Sequence, residues 1–184
     1  MSEWRQHEQL APKSYVCGFC GLNIGAKYGY YQSSGQRQLY ICPFCDKPTY
    51  FGDEGQIPGS PFGNEVKHLP MEVQQLYREI RNCSTVSAYT AAVLLCRKLL
   101  MNIAVELGAA PNKTFQFYVD YLATQGYIPP NAKGWVDHIR NKGNEATHEI
   151  ILMSQTDAEE LISFAEMLLR IIYEFPQKVP PTTS

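Results

Sequence analysis

The chain has no surplus of positive charge: 16 Lys and Arg stand against 18 Asp and Glu, a formal net charge of −2 over 184 residues. That balance excludes a polybasic platform that grips nucleic acid through its phosphates. No run of apolar residues is long and uncharged enough to span a bilayer. The greasiest stretch, Ala91 to Leu107, is broken by Arg97, Lys98, Asn102 and Glu106 and reads as a buried helix. Met1 to Pro12 lacks the apolar core of a secretion signal, so a cytoplasmic, reducing location is expected, with no membrane contact. A Gly-rich phosphate loop, a dinucleotide fingerprint, H-E-x-x-H and a nucleophile elbow are all missing. Nucleotide hydrolysis, redox catalysis and zinc proteolysis are therefore left without machinery, and no nucleotide cofactor is expected.

Among what is present, the cysteines are the most informative. Cys17-Gly-Phe-Cys20 and Cys42-Pro-Phe-Cys45 form two C-x-x-C pairs. Four thiolates at this spacing match the all-sulfur coordination of a structural zinc ion. Gly18 and Gly21 ease one turn and Pro43 stiffens the other. A redox C-x-x-C or a disulfide is the alternative, and it fits two matched pairs in a reducing compartment less well. Cys83 and Cys96 have no such partner and read as helix-packing residues.

The chain divides by composition. Residues 1–13 read as a tail and 14–52 as a zinc ribbon, its middle rich in tyrosine and turn residues. The Gly- and Pro-rich stretch 53–68 reads as a linker. From 69 to 175 the periodicity is helical. Leu69, Val73, Leu76 and Ile80 share one face, and Lys98, Asn102 and Glu106 form the wet stripe of an otherwise apolar second helix. Phe115 to Leu122 and Trp135 to Ile139 suggest two more helices. Thr156-Asp-Ala-Glu159 reads as a capping box opening the last. Residues 176–184 form a Pro-rich tail. The expected fold class is mainly α: a four- to five-helix bundle preceded by a small β ribbon. By formal charge, residues 13–51 carry +3, reduced to about +1 by a four-thiolate zinc centre, and residues 52–184 carry −4.

One polar segment interrupts the apolar helices: Arg140-Asn-Lys-Gly-Asn144-Glu145-Ala-Thr-His148. On a continuous helix Arg140, Asn144 and His148 fall at i, i+4 and i+8 along one face. Arginine offers a fork for phosphate oxygens, and histidine moves protons near neutral pH. Such a stripe equally well caps helices and fixes their register.

Together with the run Ala91-Ala-Val-Leu-Leu-Cys-Arg97-Lys98-Leu99, this Arg-x-x-Gly-Asn-x-x-x-His pattern resembles the bacterial and phage domain-of-unknown-function 4145 family over about residues 70–175. That family is similar to the HEPN superfamily and often carries an N-terminal zinc ribbon. The resemblance implies a HEPN-like helical bundle, a homodimer, and a nucleic-acid-associated role in conflict or antiviral defence. It further implies a metal-independent endoribonuclease in which Arg140 stabilises phosphate charge and His148 transfers protons. Asn144 would orient the pair, with Asn141 and Glu145 as accessories. Seven residues separate Arg140 from His148, more than HEPN ribonucleases usually have. Many HEPN-like domains are instead non-catalytic assembly modules, which leaves a zinc-ribbon adaptor for a protein partner as the second reading.

The ribbon's aromatics interleave with cations: Lys27, Tyr30, Arg37 and Tyr40 are candidates for binding RNA or a partner protein. A ribbon this small also needs aromatics to cover its metal. His68 has no vacancy to fill in a site that four cysteines complete. His138 and Asp137 read as helix-surface groups near Arg140, and Arg97 as a cation paired with an acid.

Overall fold

The computed structural model describes residues 6–33, 35–129 and 152–178. They form two compact units, Met1–Pro61 with Ser84–Ser87, and Phe62–Cys83 with Ala88–Ser184.

The N-terminal unit is a five-stranded antiparallel meander, β1 (Glu8–Val16), β2 (Asn23–Tyr31), β3 (Gln38–Ile41), β4 (Pro48–Gly52) and β5 (Gly55–Ile57), each strand paired with the next. This sheet overturns the mainly α expectation, and the fold is α+β. Two stretches account for the difference. Glu8 to Lys13, read as a tail, supplies the first half of β1, with Pro12 tolerated because β1 is an edge strand. Gly55 to Ile57, read as linker, folds back on β4 through a tight turn at Gly52↔Gly55. Turn-rich composition marks the chain reversal and hides the short strand beyond it.

The sheet's core is small: Tyr15, Cys17, Ile24, Ala26, Tyr40 and Cys42. Tyr15, Tyr40 and Phe51 meet edge-to-face or tilted, with Tyr15 and Phe51 centroids 4.9 Å apart. Gly29 sits opposite Tyr40, and a Cβ there would run into the Leu39 carbonyl. Only glycine permits that approach.

The described helices are α1 (Met71–Thr85), which belongs to the second unit up to Cys83, and α2 (Tyr89–Glu106), α3 (Phe115–Thr124) and α4 (Gln155–Leu169) within that unit, the last continuing into a π turn at Arg170–Glu174 and a 3-10 turn at Pro176–Lys178. α2 packs on both α3 and α4. Ala92, Val93, Cys96, Leu99, Leu100, Ile103 and Ala104 are buried, while Lys98, Asn102 and Glu106 face water. Cys96 is a core residue of α2, and Cys83 packs at that core's edge. The cap of α4 lies two residues earlier than the sequence suggested. Ser154 Oγ accepts from Asp157 N–H at 3.2 Å while Asp157 accepts from Ser154 N–H at 2.9 Å. Aspartate at N3 does here what the sequence reading assigned to Glu159.

Residues 62–67, expected as linker, are strapped to α4. Glu166 accepts from the Asn64 backbone at 2.7 Å and from Asn64 Nδ2 at 3.1 Å. Arg170 joins Glu166 and Glu174 at 2.9 Å each, and the buried Glu174 also accepts from Lys67 N–H and Lys178 Nζ. Burial pushes the Glu166 carboxyl up, but the Asn64 donors and Arg170 outweigh it and hold it below the usual glutamate range. Among the described residues no helix is long and apolar enough to cross a membrane.

Candidate metal centre

Two knuckles of the same design end the two long hairpins. In the first, joining β1 to β2, Cys17 N–H donates to Leu22 C=O at 2.9 Å and Gly21 N–H to Cys17 C=O at 2.8 Å. In the second, joining β3 to β4, Cys42 N–H donates to Lys47 C=O and Asp46 N–H to Cys42 C=O, both at 3.0 Å. The residue after each second cysteine is left-handed, Gly21 at φ +70° and Asp46 at φ +58°. Aspartate tolerates that conformation better than most residues, so C-x-x-C-G and C-x-x-C-D make one turn. Gly18 serves a different purpose from the one expected: its φ is ordinary, and a Cβ would strike the Pro58 and Gly59 carbonyls.

The turns bring four sulfurs together. Cys17 and Cys45 Sγ lie 3.7 Å apart, Cys20 and Cys42 Sγ 3.8 Å, and all four within 4.8 Å of one another. A regular tetrahedron with metal–sulfur bonds of about 2.3 Å has edges of about 3.8 Å. A disulfide needs about 2.05 Å, and all four cysteines are free. The donor set thus fits one soft, four-coordinate ion. Cys17 and Cys42, the first of each pair, are buried, and Cys20 and Cys45 form the rim.

Burial also sets the chemistry of the thiols. It pushes Cys45 up to about 12, with the neighbouring cysteines adding to the shift, and it raises Cys20. At Cys17 burial acts upward too, but N–H groups of Cys20 and Phe19 outweigh it, and this thiol falls below its ordinary value. Donors already aimed at sulfur suit a thiolate. Beside the quartet lie Tyr15, 7% exposed, and Thr49, 0% exposed. Burial raises the Tyr15 phenol, the adjoining Thr49 hydroxyl acts the other way, and the charges of Cys17, Cys42 and Cys45 raise it further. Nothing in the sequence pattern marked these two residues.

The other expected site residues are placed as follows. Arg140, Asn141, Asn144, Glu145 and His148, with Asp137 and His138, lie outside the described residues. Lys27 reaches over the Tyr28 ring at 5.3 Å, and both line an open cleft of about 520 Å³ beside the second knuckle, next to Gly25, Pro43 and Asp46. Tyr30 is half-buried. Arg37 is exposed and paired with Asp53 at 3.0 Å. Tyr40 is 1% exposed and donates its hydroxyl to Ala11 C=O at 2.8 Å, so it is a core residue with no face for a ligand. His68 is remote from the quartet in sequence and is not one of its ligands. Arg97 lies over the Phe115 ring at 4.7 Å.

The structure also shows what the sequence reading passed over. Phe19 is 53% exposed and Phe44 70% exposed, one at the same place in each knuckle, with Leu22 exposed beside the first. A signal for this was available: each phenylalanine lies inside a four-residue C-x-x-C turn, which offers an apolar side chain no core to enter.

A family model described as "Domain of unknown function (DUF4145)" matches residues 78–183, more than half of the chain. The chain belongs to the DUF4145 family. The match begins within α1, so the sheet and its cysteine quartet lie ahead of the DUF4145 region. No curated protein and no solved structure matches the chain.

Proposed function

We propose that the cysteine quartet binds zinc and that the sheet it staples is a docking module, through which this DUF4145 protein acts as a non-enzymatic adaptor for a protein partner. The observation that carries this reading is the pair Phe19 and Phe44, solvent-exposed on backbone that the ligand cysteines hold in place. Large apolar side chains on a rigid frame bury area on binding with little conformational cost, as interface anchors do. Charge favours protein over nucleic acid. Within residues 6–61 the four cations Lys13, Lys27, Arg37 and Lys47 meet four anions, Glu8, Asp46, Asp53 and Glu54. A zinc–tetrathiolate adds −2, so the module repels a phosphate backbone. The ribonuclease role implied by the HEPN resemblance would act through Arg140 and His148.

The test is photo-crosslinking in cells with a reactive amino acid at position 44, then reconstitution of the identified pair from purified components. Phe19→Ser with Phe44→Ser should weaken the complex by tenfold or more while zinc content stays at one ion per chain. A complex of undiminished affinity refutes the docking role. Cleavage of mixed RNAs by the purified protein, lost in Arg140→Ala and His148→Ala, refutes the non-enzymatic one.

A further inference from the structure

The C-terminal end of α1 is finished by backbone of the N-terminal unit. A helix ends on carbonyls that no later turn can satisfy. At this end the Cys83 carbonyl accepts from Ala88 N–H at 2.9 Å, and the Thr85 carbonyl accepts from Gly59 N–H at 2.7 Å. Thr85 is buried, and Ser84–Ser87 belong to the same compact unit as the sheet. Ser87 is left-handed at φ +57°, a conformation that serine keeps only where its surroundings fix it.

Gly59 is held in turn against the first knuckle. A Cβ on Gly18 would stand 2.5 Å from the Gly59 carbonyl oxygen and 2.7 Å from that of Pro58, so the knuckle backbone lies directly on this pair. Gln56 Nε2 ties the two together, donating to Val16 C=O at 2.7 Å and to Pro58 C=O at 3.0 Å. A chain of close contacts therefore runs from the first knuckle through Pro58 and Gly59 to Thr85, all of it inside one unit.

We infer that this joint makes the last turn of α1 a reporter of metal occupancy. With the quartet closed on an ion, the knuckle holds Pro58 and Gly59 in place and the helix end is capped; with the ion gone, the cap is lost. The inference rests on the zinc reading above. Gly18 and Phe19 lie between Cys17 and Cys20, two of the four cysteines, so release of the ion frees the backbone on which Gly59 packs. Residues 84–87 are bounded by the helical unit at Cys83 and at Ala88, so the chain itself carries the change to the start of α2.

Hydrogen exchange followed by amide NMR reads the joint residue by residue. Stripping zinc under reducing conditions should speed exchange at Gly59 and at residues 84–88 by about tenfold or more, while Leu99, Leu100 and Ile103 keep their rates. Gln56→Ala with zinc bound loosens the joint and leaves all four cysteines intact, and it should speed the same amides by about threefold or more. Unchanged exchange at 84–88 in protein shown by elemental analysis to be zinc-free overturns the inference and spares the zinc reading. Wild-type rates in zinc-loaded Gln56→Ala also overturn it, since any loosening would then belong to unfolding of the whole sheet. A wild-type protein that binds no zinc overturns both readings.

Discussion

Removing the metal should melt the sheet and leave the helices standing. Among the described residues the N-terminal unit buries four large non-cysteine side chains, Tyr15, Ile24, Tyr40 and Ile41, with Leu10 and Phe51 partly buried against its cluster. At about 2 kcal/mol for each buried side chain, their burial contributes about 8 kcal/mol. A structural zinc site of cysteine ligands contributes on the order of 10 kcal/mol near neutral pH. A zinc ion held by the quartet would thus be the largest single contribution to this unit, and a domain of such size rarely folds without a staple. The second unit draws on a far larger cluster, from Val66 to Leu169, in which the ion has no part. Chelation under reducing conditions should therefore abolish amide protection over residues 8–57 and preserve it in α2 and α4. Hydrogen exchange read by mass spectrometry resolves the two units directly, and Cys42→Ser should act in the same direction. Protection of β3 and β4 that is unchanged after metal is removed and elemental analysis confirms its loss would falsify the reasoning.

Three other outcomes are expected. Gly29→Ala drives a methyl into the Leu39 carbonyl and should cost about 3 kcal/mol or more, seen as loss of zinc-dependent sheet structure by circular dichroism. Glu166→Ala frees Asn64 and Arg170 together and should lower stability to denaturant by about 2–3 kcal/mol. Because the Glu166 carboxyl is held below its ordinary range, its contribution is complete above the usual glutamate range and fades as the pH falls through the depressed value, so the variant and wild-type curves should converge in acid. Zinc binding at pH 7 should release protons, since burial keeps Cys45 protonated up to about 12. Calorimetry in buffers of different ionisation enthalpy should show that release, with apparent affinity falling as pH is lowered.

The legibility of the chain varied with the range of the interactions involved. The quartet Cys17, Cys20, Cys42 and Cys45 was legible because ligand chemistry is written in local spacing, and the wet stripe Lys98, Asn102 and Glu106 because it repeats every turn. The α4 cap was found to within two residues, since Ser154 and Thr156 offer competing hydroxyls. The long β1 was missed because Gln9 to Lys13 has no strict alternation and pairs through a register shift. Composition left Tyr40 open between binding a ligand and covering the cysteine site, because nothing local says which face of β3 meets the core.

The sequence by itself determined the cysteine quartet and an apolar helical region, because a ligand set needs only a few residues in a short span and helical burial repeats at a fixed period. The tertiary structure alone decided the fold class, the strap of residues 62–67 onto α4, and the division of the aromatics into core and tip. Those outcomes depend on pairing between residues far apart in the chain, Tyr40 with Ala11, Asn64 with Glu166. It also decided that Phe19 and Phe44 face water and that Tyr15 and Thr49 are buried. Burial is a property of what surrounds a residue, and no local pattern encodes it.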